Sequence, residues 1–445
     1  MSKKYLILNV GLILAAVVLT MCTPEGVTTE APASPTVELT QSEEPVLTEQ
    51  AIETVEPTEV VAEILPAKIT GTITLWHAWN EFEMESLVEV LAAFQEQYPD
   101  VQFDVMYVPF DDLRGKFEAA AATGGGPTVL IGAADWGPAF YDKTLVADLT
   151  DRVSESLLAT INPAALGAVQ YKDAMIGLPH EINKGVVMFR NTSILTEAPT
   201  TWADLLESAQ AATHGDVIGA DLESGLYFSA GHLNACGGKL MEDNGDPAFN
   251  NEAGVCWLNL FTEYDATGLP GENNTDNDVN LFKEGKAGII IDGTWNSSSL
   301  AEAIGAENLS IDPWPATDQG ALSGYVQTEN LYLSANATED DAAAGLAFIE
   351  FFLSPETQAI LADPTKAAHI PAITGEEITD PLIQAAVIAL EGGTRFPLIP
   401  EMNAYWDPLN NAILSVINEG TEPAAALQKA EDEVNGKLEE IRGGG

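Results

Sequence analysis

The sequence predicts an α/β protein with mostly parallel sheets, and the clearest support is an alternation of strands and helices near its start. An apolar strand at 73–76 leads into a helix whose apolar residues recur at helical spacing. Residues 101–108 alternate like a strand, a second helix follows, and 129–132 form a short buried strand. The order β-α-β-α-β over 71–136 is typical of parallel strands joined by right-handed crossovers.

The second observation that predicts this class is size. About 375 residues from Lys68 onward contain no long low-complexity break, which is more than a single hydrophobic core usually holds. We therefore expect two domains. A strand at 289–292 and helices at 341–352 and 423–441 continue the α/β pattern along the chain.

Residues 1–22 have the pattern of a lipoprotein signal. Lys3 and Lys4 precede an apolar run that ends near Cys22, and this run is too short for a stable membrane span. The pattern predicts an exported protein, lipidated at Cys22 and anchored to the outer face of the cell membrane. Met21 is larger than the residue usual before such a cysteine, so an ordinary cleaved signal and a periplasmic protein are the alternative.

The segment 23–67 differs in composition from the rest of the chain. It is rich in Pro, Thr, Glu and Ala and contains no Lys or Arg. Such a segment cannot bury enough apolar surface to offset the entropy of ordering, so we expect a disordered tether. A tether of this kind would hold a folded domain away from a membrane or cell wall.

The charge of the chain excludes some classes of partner. With 18 basic and 68 acidic residues the formal net charge is −50, which argues against nucleic acid as a partner because its binding needs basic patches. The acidity indicates solubility first and a cationic ligand second. The glycines at 124–126 follow a helix and precede a strand, whereas phosphate-binding loops follow a strand, so we expect a turn there.

Two cysteines remain after the signal segment, Cys236 and Cys256. An exported protein is in a compartment that permits disulfides, so we expect a bridge between them, with two buried thiols as the alternative. No histidine pattern accompanies them, so zinc is not indicated. Residues 276–278 lack the remaining ligands of a calcium loop, and we expect a solvated loop with helix-capping residues. We predict no metal and no cofactor.

Aromatic and polar residues follow several predicted strands at the points where the strands end. The turn from Trp76 to Glu81 holds two tryptophans, a histidine and polar side chains, Asp135 and Trp136 follow the third strand, and Trp295 follows a later one. In open α/β sheets, ligands bind beyond the carboxyl ends of the strands. Neither a nucleophile–base pair nor a metal motif is visible there, so we expect a cleft for a ligand with flat apolar faces and many hydroxyls.

The order of segments resembles the extracellular solute-binding proteins of ABC importers, in particular the maltose/oligosaccharide-binding group. The resemblance runs from about Lys68 to Ile441, and no single motif carries it. The segments that carry it are TLWHAW, FQEQYPDVQFDV, VLIGAADW, GLPHEINKGVVMFRN, PTTWADLL, LFKEGKAGIIIDGTWN, GLAFIEFFLSPE and MNAYWDPLNNAI.

The resemblance implies a two-lobed periplasmic-binding-protein fold of type II character, with the ligand between the lobes. Each lobe is then a mostly parallel sheet flanked by helices. Lobe one would hold 68–181 and 327–380, and lobe two 182–325 and 381–442. The implied protein is a monomeric receptor, not an enzyme, that passes an oligosaccharide to an ABC permease in the membrane.

The resemblance also implies a set of ligand-binding residues. Trp136 stands where some relatives have arginine, and Asn183 where some have glutamate. The implied set is Trp79, Asn80, Glu81, Asp135, Trp136, Asn183, Tyr227, Trp295 and Trp406. By contrast, we expect Trp76, Trp202, Trp257 and Trp314 in the core.

Other functions compete with a sugar receptor. A secreted glycoside hydrolase would need paired carboxylates, and Glu81, Asp135 and Glu181 are the candidates. The same three carboxylates, caged with aromatic rings, would suit a polyamine. The chain contains neither GxSxG nor HExxH, so the enzyme is the weaker hypothesis. A partner for a membrane kinase is a third possibility, for which the sequence offers no docking motif.

Overall fold

The computed structural model describes residues 68–273 and 275–443. The predicted signal segment with Cys22 and the predicted tether lie outside these residues. Among the described residues, no helix has both the length and the apolar content needed to cross a membrane.

The strands range from two to fourteen residues in length. They are β1 Gly71–His77, β2 Val101–Tyr107, β3 Val129–Ala133, β4 Gln170–Tyr171, β5 Ala174–Met175, β6 Leu178–Asn191, β7 Leu222–Glu223, β8 Gly271–Glu272, β9 Ile289–Gly293, β10 Leu309–Asp312, β11 Tyr325–Leu333 and β12 Thr394–Arg395.

The α-helices of the described residues alternate with these strands. They are α1 Glu81–Gln97, α2 Phe110–Ala121, α3 Gly137–Asp142, α4 Glu155–Leu158, α5 Pro163–Gly167, α6 Trp202–Ala212, α7 Leu226–Ser229, α8 Glu252–Asp265, α9 Asn277–Lys283, α10 Ser297–Ile304, α11 Glu339–Phe352, α12 Pro355–Leu361, α13 Pro381–Glu391, α14 Trp406–Glu419 and α15 Pro423–Gly443.

The first lobe is built on the predicted β-α-β-α-β unit. Strand β1 pairs in parallel with β2 on one side and with β3 on the other, as the sequence predicts. Because side chains alternate along a strand, Ile73 and Leu75 of β1 join the core that α1 and α11 cover. Trp76 points to the opposite core, under Leu113 and Phe117 of α2. The sheet is therefore covered by helices on both faces.

Two long strands, β6 and β11, cross from this lobe into the second. They pair antiparallel with each other, and β11 also pairs antiparallel with β3. The later part of β6 pairs antiparallel with β9 and with β10, which are the sheet of the second lobe. The expected parallel sheet is thus found around β1. In the second lobe, however, the main strand pairs are antiparallel, because β6 runs in the opposite direction to β9 and β10.

The carboxyl-terminal part of the chain completes the second lobe. Helices α14 and α15 pack on α8, with Trp257, Leu409 and Leu427 in their shared core. A disulfide joins Cys236 to Cys256, as predicted, and ties α8 to the 3-10 helix that ends at residue 236. These contacts form the core against which the aromatic residues of the second lobe pack.

One local prediction was right only in part. Asp276 and Asn277 are exposed and Asp276 is the N-cap of α9, as expected of a solvated capping segment, but Asp278 is 1% exposed and lies inside the helix. Helix α2 has Pro109 at its N-cap and two aspartates in its first turn. Helix α14 follows a 3-10 helix over Pro400–Ala404.

Candidate ligand-binding cleft

The same local structure presents a predicted ligand residue in each lobe. Strand β3 ends in the 3-10 helix Ala134–Trp136, which places Asp135 at the carboxyl edge of the first sheet. Strand β9 ends in the 3-10 helix Thr294–Asn296, which places Trp295 at the edge of the second. In both cases α3 or α10 follows directly. Asp135 and Trp295 therefore occupy equivalent positions in the same local structure, directly after a strand and directly before an α-helix.

A continuous row of aromatic rings lines the second lobe. Tyr227 lies 6.4 Å from Trp295 and 5.9 Å from Phe396 between ring centres. Phe396 in turn stacks on Trp406 at 5.8 Å with planes 23° apart. Tyr227, Trp295 and Trp406 are half-buried, and Phe396 is buried between them. We call these four residues the aromatic row. The row joins three predicted ligand residues and offers apolar ring faces along one wall.

Asp135 acts electrostatically on Tyr227 of this row and has an altered acidity itself. Desolvation of the half-buried carboxyl raises the pKa of Asp135 to about 6, against the opposing effect of the Arg114 guanidinium. Burial also raises the pKa of the Tyr227 hydroxyl, and the charge of Asp135 adds to that rise. The two side chains are therefore within electrostatic reach of each other across the cleft. A carboxylate opposite a row of rings can accept hydrogen bonds from hydroxyls while the rings cover an apolar face.

Hydrogen bonds connect the two lobes on either side of these residues. Asn80 donates from Nδ2 to the backbone oxygen of Trp295 over 3.0 Å, while its Oδ1 caps α1. Arg114 of α2 donates from Nη1 to Oδ1 of Asn403 over 2.7 Å. These bonds hold the two walls against each other. The Asn80 side chain is thus largely occupied by the protein itself, which limits what it can offer a ligand.

Asn183 lies where β6 passes between the lobes. Its backbone has a positive φ of 57°, and its Oδ1 accepts from Nη1 of Arg395 at 3.2 Å. Asparagine tolerates this left-handed conformation better than most residues. The side chain is half-buried.

A buried charge cluster lies behind the cleft, where β6, β11 and α1 meet. Lys184 contacts Glu83 at 3.0 Å, Glu329 at 3.0 Å and Glu181 at 3.5 Å. His369 lies 3.1 Å from Glu83. We call these five residues, together with His180 beside Glu329, the buried charge cluster. Three carboxylates around one ammonium are stable in the interior only because hydrogen bonds and further donors surround them.

The pKa values in the cluster follow from burial and neighbouring charge. Burial alone would raise the pKa of Glu329, but the Lys184 ammonium and His180 hold it well below its usual range. Burial would lower the pKa of Lys184, and the surrounding carboxylates instead raise it well above its ordinary value. Burial raises the pKa of Glu181, whereas the carboxylates Glu181 and Glu83 outweigh burial and raise the pKa of His369. Burial thus disfavours the charged form of Glu181, whereas the carboxylates around His369 favour its protonated form.

Trp79 belongs to this cluster rather than to the cleft surface, so the prediction that its ring faces ligand was wrong. It is 2% exposed, and its Nε1 donates to Glu329 over 2.7 Å. Its ring packs between His180 and His369. A ring enclosed on all sides has no free face for a sugar. Trp76, by contrast, is buried as predicted.

Trp136 was also predicted to touch ligand, and the structure gives it a supporting position instead. It is 4% exposed and lies in the core between α2 and β3. Its ring contacts Phe140 on one side and Phe110 on the other, the latter at 5.1 Å. Glu81 is exposed at the first position of α1, at the edge of the cleft. Trp202, Trp257 and Trp314 are buried, as predicted.

A second group of acidic side chains is buried under α9. Burial, together with the neighbouring charges of Asp292, Glu223 and Asp221, raises the pKa of Asp278 to about 8. Burial likewise raises the pKa of Asp292 to about 7. Nevertheless, within residues 68–273 and 275–443 no three His, Cys, Asp or Glu side chains are grouped so that they could hold a metal ion. Burial therefore disfavours the charged forms of Asp278 and Asp292.

These features define a two-lobed binding protein with its ligand site between the lobes. The model of the bacterial extracellular solute-binding protein family matches residues 89–388, and the chain belongs to that family. Among curated proteins it is similar to the maltotriose-binding protein of Pyrococcus abyssi, with 24% identity over 82% of each chain. It is also similar to the galactooligosaccharide-binding protein of Bacillus subtilis, with 24% identity over 81% of this chain and 88% of that protein.

A solved structure has the same fold. The maltose/maltodextrin-binding domain of Bdellovibrio bacteriovorus, bound to maltotriose, superposes with a TM-score of 0.75 at 22% identity. The match covers 83% of this chain and 100% of that domain. This likeness establishes the two-lobed architecture that the sequence resemblance implies.

Sequence reasoning missed several residues of the site. Phe396 lies between Tyr227 and Trp406. It is a single phenylalanine before a proline, and nothing in the sequence around it predicts that it contacts these two rings. Arg114 and Asn403 meet across the lobes although 289 positions separate them. One sign of the buried charge cluster was visible in the sequence, because Lys184 is a basic residue inside β6, just before the apolar run at 186–189.

Proposed function

We propose that this protein is the substrate receptor of an ABC importer and binds a maltodextrin-type oligosaccharide between its lobes. The observation that carries the proposal is the aromatic row facing Asp135. One face of a pyranose ring is mostly C–H, and covering about 100 Å² of it by an aromatic ring is worth roughly 2.5 kcal/mol before ordering costs. A carboxylate opposite the rings then orients the hydroxyls.

The row suits more than one sugar unit. Trp295, Tyr227, Phe396 and Trp406 succeed one another at ring-centre distances of 6.4, 5.9 and 5.8 Å. A ligand lying along the row would place sugar rings over the half-buried Trp295, Tyr227 and Trp406, while the buried Phe396 supports Tyr227 and Trp406 from behind. The names of the maltotriose- and galactooligosaccharide-binding relatives support a short oligosaccharide as the ligand class.

The remaining ligand assignments belong to the same proposal. Asn183 and Glu81 border the cleft and would hydrogen-bond sugar hydroxyls, and Asn80 would add at most its second amide hydrogen. The lobes are proposed as 68–181 with 327–380 and 182–325 with 381–442. The crossing strands β6 and β11 would then be the hinge about which the lobes close, since closure around a ligand requires a few connecting segments that bend.

The proposed cellular context follows from the sequence before Lys68. The receptor would be lipidated at Cys22 and held at the outer face of the membrane, with 23–67 as its tether. It would act as a monomer and deliver its ligand to a membrane permease. Mass spectrometry of the membrane-extracted protein tests this, since a diacylated Cys22 at the amino terminus is the expected product.

The competing functions need carboxylates that the cleft does not present. Glu181 is 2% exposed and lies 3.5 Å from Lys184, so neither a glycosidase nor a polyamine cage can use it without breaking the buried charge cluster. Of the three nominated carboxylates, Asp135 and Glu81 are the two with access to the cleft. This arrangement favours a neutral, hydroxyl-rich ligand.

Calorimetry against a panel of ligands tests the proposal. We expect binding of maltose, maltotriose and longer α-linked oligosaccharides with dissociation constants in the micromolar class, about −8 kcal/mol. Spermidine is the matched cationic control and should give no binding heat. Heat with spermidine and none with any sugar would refute the proposal. Release of reducing ends during prolonged incubation would show that the protein is an enzyme.

A further inference from the structure

We propose that a further sugar subsite lies at the mouth of the cleft, on the first lobe, where Tyr107 and Phe110 border the start of α2. The inference rests on the proposed function and deepens it. It names the place where a longer oligosaccharide continues beyond the aromatic row, and therefore the part of the protein that selects ligands by length.

The first observation is the exposure of two aromatic side chains. Tyr107 is 58% exposed and Phe110 is 52% exposed, and among the described residues they are the large aromatic side chains that face solvent. Single exposed apolar residues are ordinary. Here two rings lie three positions apart, one at the carboxyl end of β2 and the other at the first position of α2. Ligands of open α/β sheets bind at this edge.

The second observation is a cavity beside Tyr107 at the start of α2, next to Phe110 in sequence but not lined by it. It has a volume of about 430 Å³ and is lined by Tyr107, Pro109, Asp111, Asp112 and Lys116, among others. This volume lies within the range of small-molecule sites. An aromatic ring and a proline offer apolar surface, whereas two carboxylates and an ammonium offer hydrogen-bond acceptors and donors for hydroxyls. The lining thus has the same mixture of chemistry as the cleft.

The third observation connects this place to the cleft. The Phe110 ring lies against Trp136 at 5.1 Å between ring centres, and Trp136 is adjacent in sequence to Asp135. One helical turn after Phe110, Arg114 donates to Asn403 of the second lobe. The start of α2 therefore faces the opposite lobe. A chain of sugars leaving the space between Asp135 and the aromatic row would pass over Phe110.

The structure also explains the position of Trp136, which has no free face of its own. Being buried under Phe110, it fixes the orientation of the exposed ring. Lys116 is anchored in a similar way, because its ammonium lies 5.6 Å from the centre of the Trp76 ring. A cation over an indole ring is attracted by the ring quadrupole. Both exposed groups of the subsite are thus supported by a buried tryptophan.

A sugar fits this place better than a protein surface does. The charged groups Asp111, Asp112 and Lys116 stand around a small cavity, and a flat apolar partner would leave them without hydrogen bonds. A sugar ring satisfies such groups with its hydroxyls while one face covers Tyr107, and the neighbouring unit toward the cleft would cover Phe110. The occupant we assign is one further hexose unit of an α-linked oligosaccharide.

The test compares ligands of different length on single variants of the full chain. In Phe110→Ala and Tyr107→Ala, we expect the dissociation constant for maltohexaose to rise about tenfold, and that for maltose by less than about threefold. Phe110→Trp restores a ring and should recover most of the maltohexaose affinity. Val88→Ala is the control, because Val88 is 57% exposed on the outer helix α1 and should change neither constant.

Several outcomes would overturn the inference. Equal losses for both sugars would mean that Phe110 only supports the inner cleft, and no loss for either would remove the subsite. Unchanged sugar affinity with impaired transport in vesicles containing the permease would assign the surface to permease docking instead. If the unmodified protein bound neither sugar, the proposed function would fail and this inference with it. If the unmodified protein binds both sugars and only the variants depart from the expected affinities, the subsite is wrong and the proposed function stands.

Discussion

The indole N–H of Trp79 donates to Oε2 of Glu329 over 2.7 Å, across 250 positions of sequence. The same oxygen accepts from the Lys184 ammonium at 3.0 Å. This single carboxylate therefore joins the turn after β1 to both crossing strands, β6 and β11. Through Glu329, the segment that carries Asn80 and Glu81 is therefore connected to β6 and β11. These are the strands about which we propose that the lobes close.

Loss of the Trp79 hydrogen bond should destabilise the protein without strongly affecting ligand binding. In Trp79→Phe, Glu329 loses a donor in the interior, and hydrogen bonds to charged groups contribute about 1.5–3 kcal/mol. Urea unfolding measures the change in the free energy of unfolding. Trp314→Phe removes a similar volume, but the buried Nε1 of Trp314 has no hydrogen-bond partner within the described part of the chain. It should therefore cost less, and equal losses in the two variants would contradict the assigned bond.

Removal of the central ammonium should have a larger effect. In Lys184→Met, three buried carboxylates lose their common counter-charge, which we expect to lower the free energy of unfolding by about 3–5 kcal/mol. The double variant Lys184→Met with Glu329→Gln removes one of those charges and should recover part of the loss. A double-mutant cycle by urea unfolding gives the coupling. Strict additivity of the two substitutions would argue against the cluster.

The buried carboxyl of Asp278 predicts a dependence of stability on pH. Its pKa is raised from 3.8 to about 8, so the folded state holds the proton more tightly than the unfolded state. The contribution of Asp278 to stability therefore declines as the pH rises from about 4 to about 8. Asp278→Asn should raise the free energy of unfolding by about 1–3 kcal/mol at pH 8.5 and change it little at pH 4.

The control for this prediction is Asp173→Asn, because Asp173 is exposed in the turn between β4 and β5. It should shift stability little at either pH. Thermal unfolding between pH 4 and 9 compares the two variants with the unmodified protein. A stabilisation by Asp278→Asn that is the same at every pH would show that the carboxyl is not protonated in the folded state.

The aromatic row predicts which substitutions weaken ligand binding. Trp295→Ala and Trp406→Ala each remove a half-buried ring face, and we expect each to raise the dissociation constant for maltotriose at least about tenfold. Circular dichroism should remain unchanged, because neither ring lies in the centre of a core. Tyr98→Ala, at the far end of α1, is a matched ring deletion that should leave affinity unaltered. Affinities unchanged in both tryptophan variants would place the cleft elsewhere.

The disulfide should contribute stability but not ligand binding. Cys236 and Cys256 are 20 positions apart, and closing a loop of that size is worth about 3 kcal/mol. The double variant Cys236→Ser with Cys256→Ser should therefore unfold at lower urea concentration while its sugar affinity stays the same. A loss of affinity without a loss of stability would show that the bridge shapes the cleft instead.

The elements that the sequence predicted correctly are those specified by local patterns. Strands β1, β2, β3 and β9 follow from apolar runs, and the cap that Thr201 gives α6 is a local interaction of the same kind. Asp135 and Trp295 could be placed at strand ends for the same reason. Side-chain burial could not be read in this way. Trp79 and Trp295 both follow a strand beside an asparagine, yet one is enclosed by two histidines and the other borders the cleft.

By itself, the sequence determined the α/β class, the order of elements, the disulfide and the residues at the ends of the strands. These depend on interactions between near neighbours in the chain, or on one pair of cysteines. Only the tertiary structure decided that Trp79 belongs to the buried charge cluster, that Phe396 completes the aromatic row, and that Phe110 stands exposed on Trp136. The physical reason is distance in sequence, since the partners that decide whether a side chain is covered come from strands and loops far along the chain.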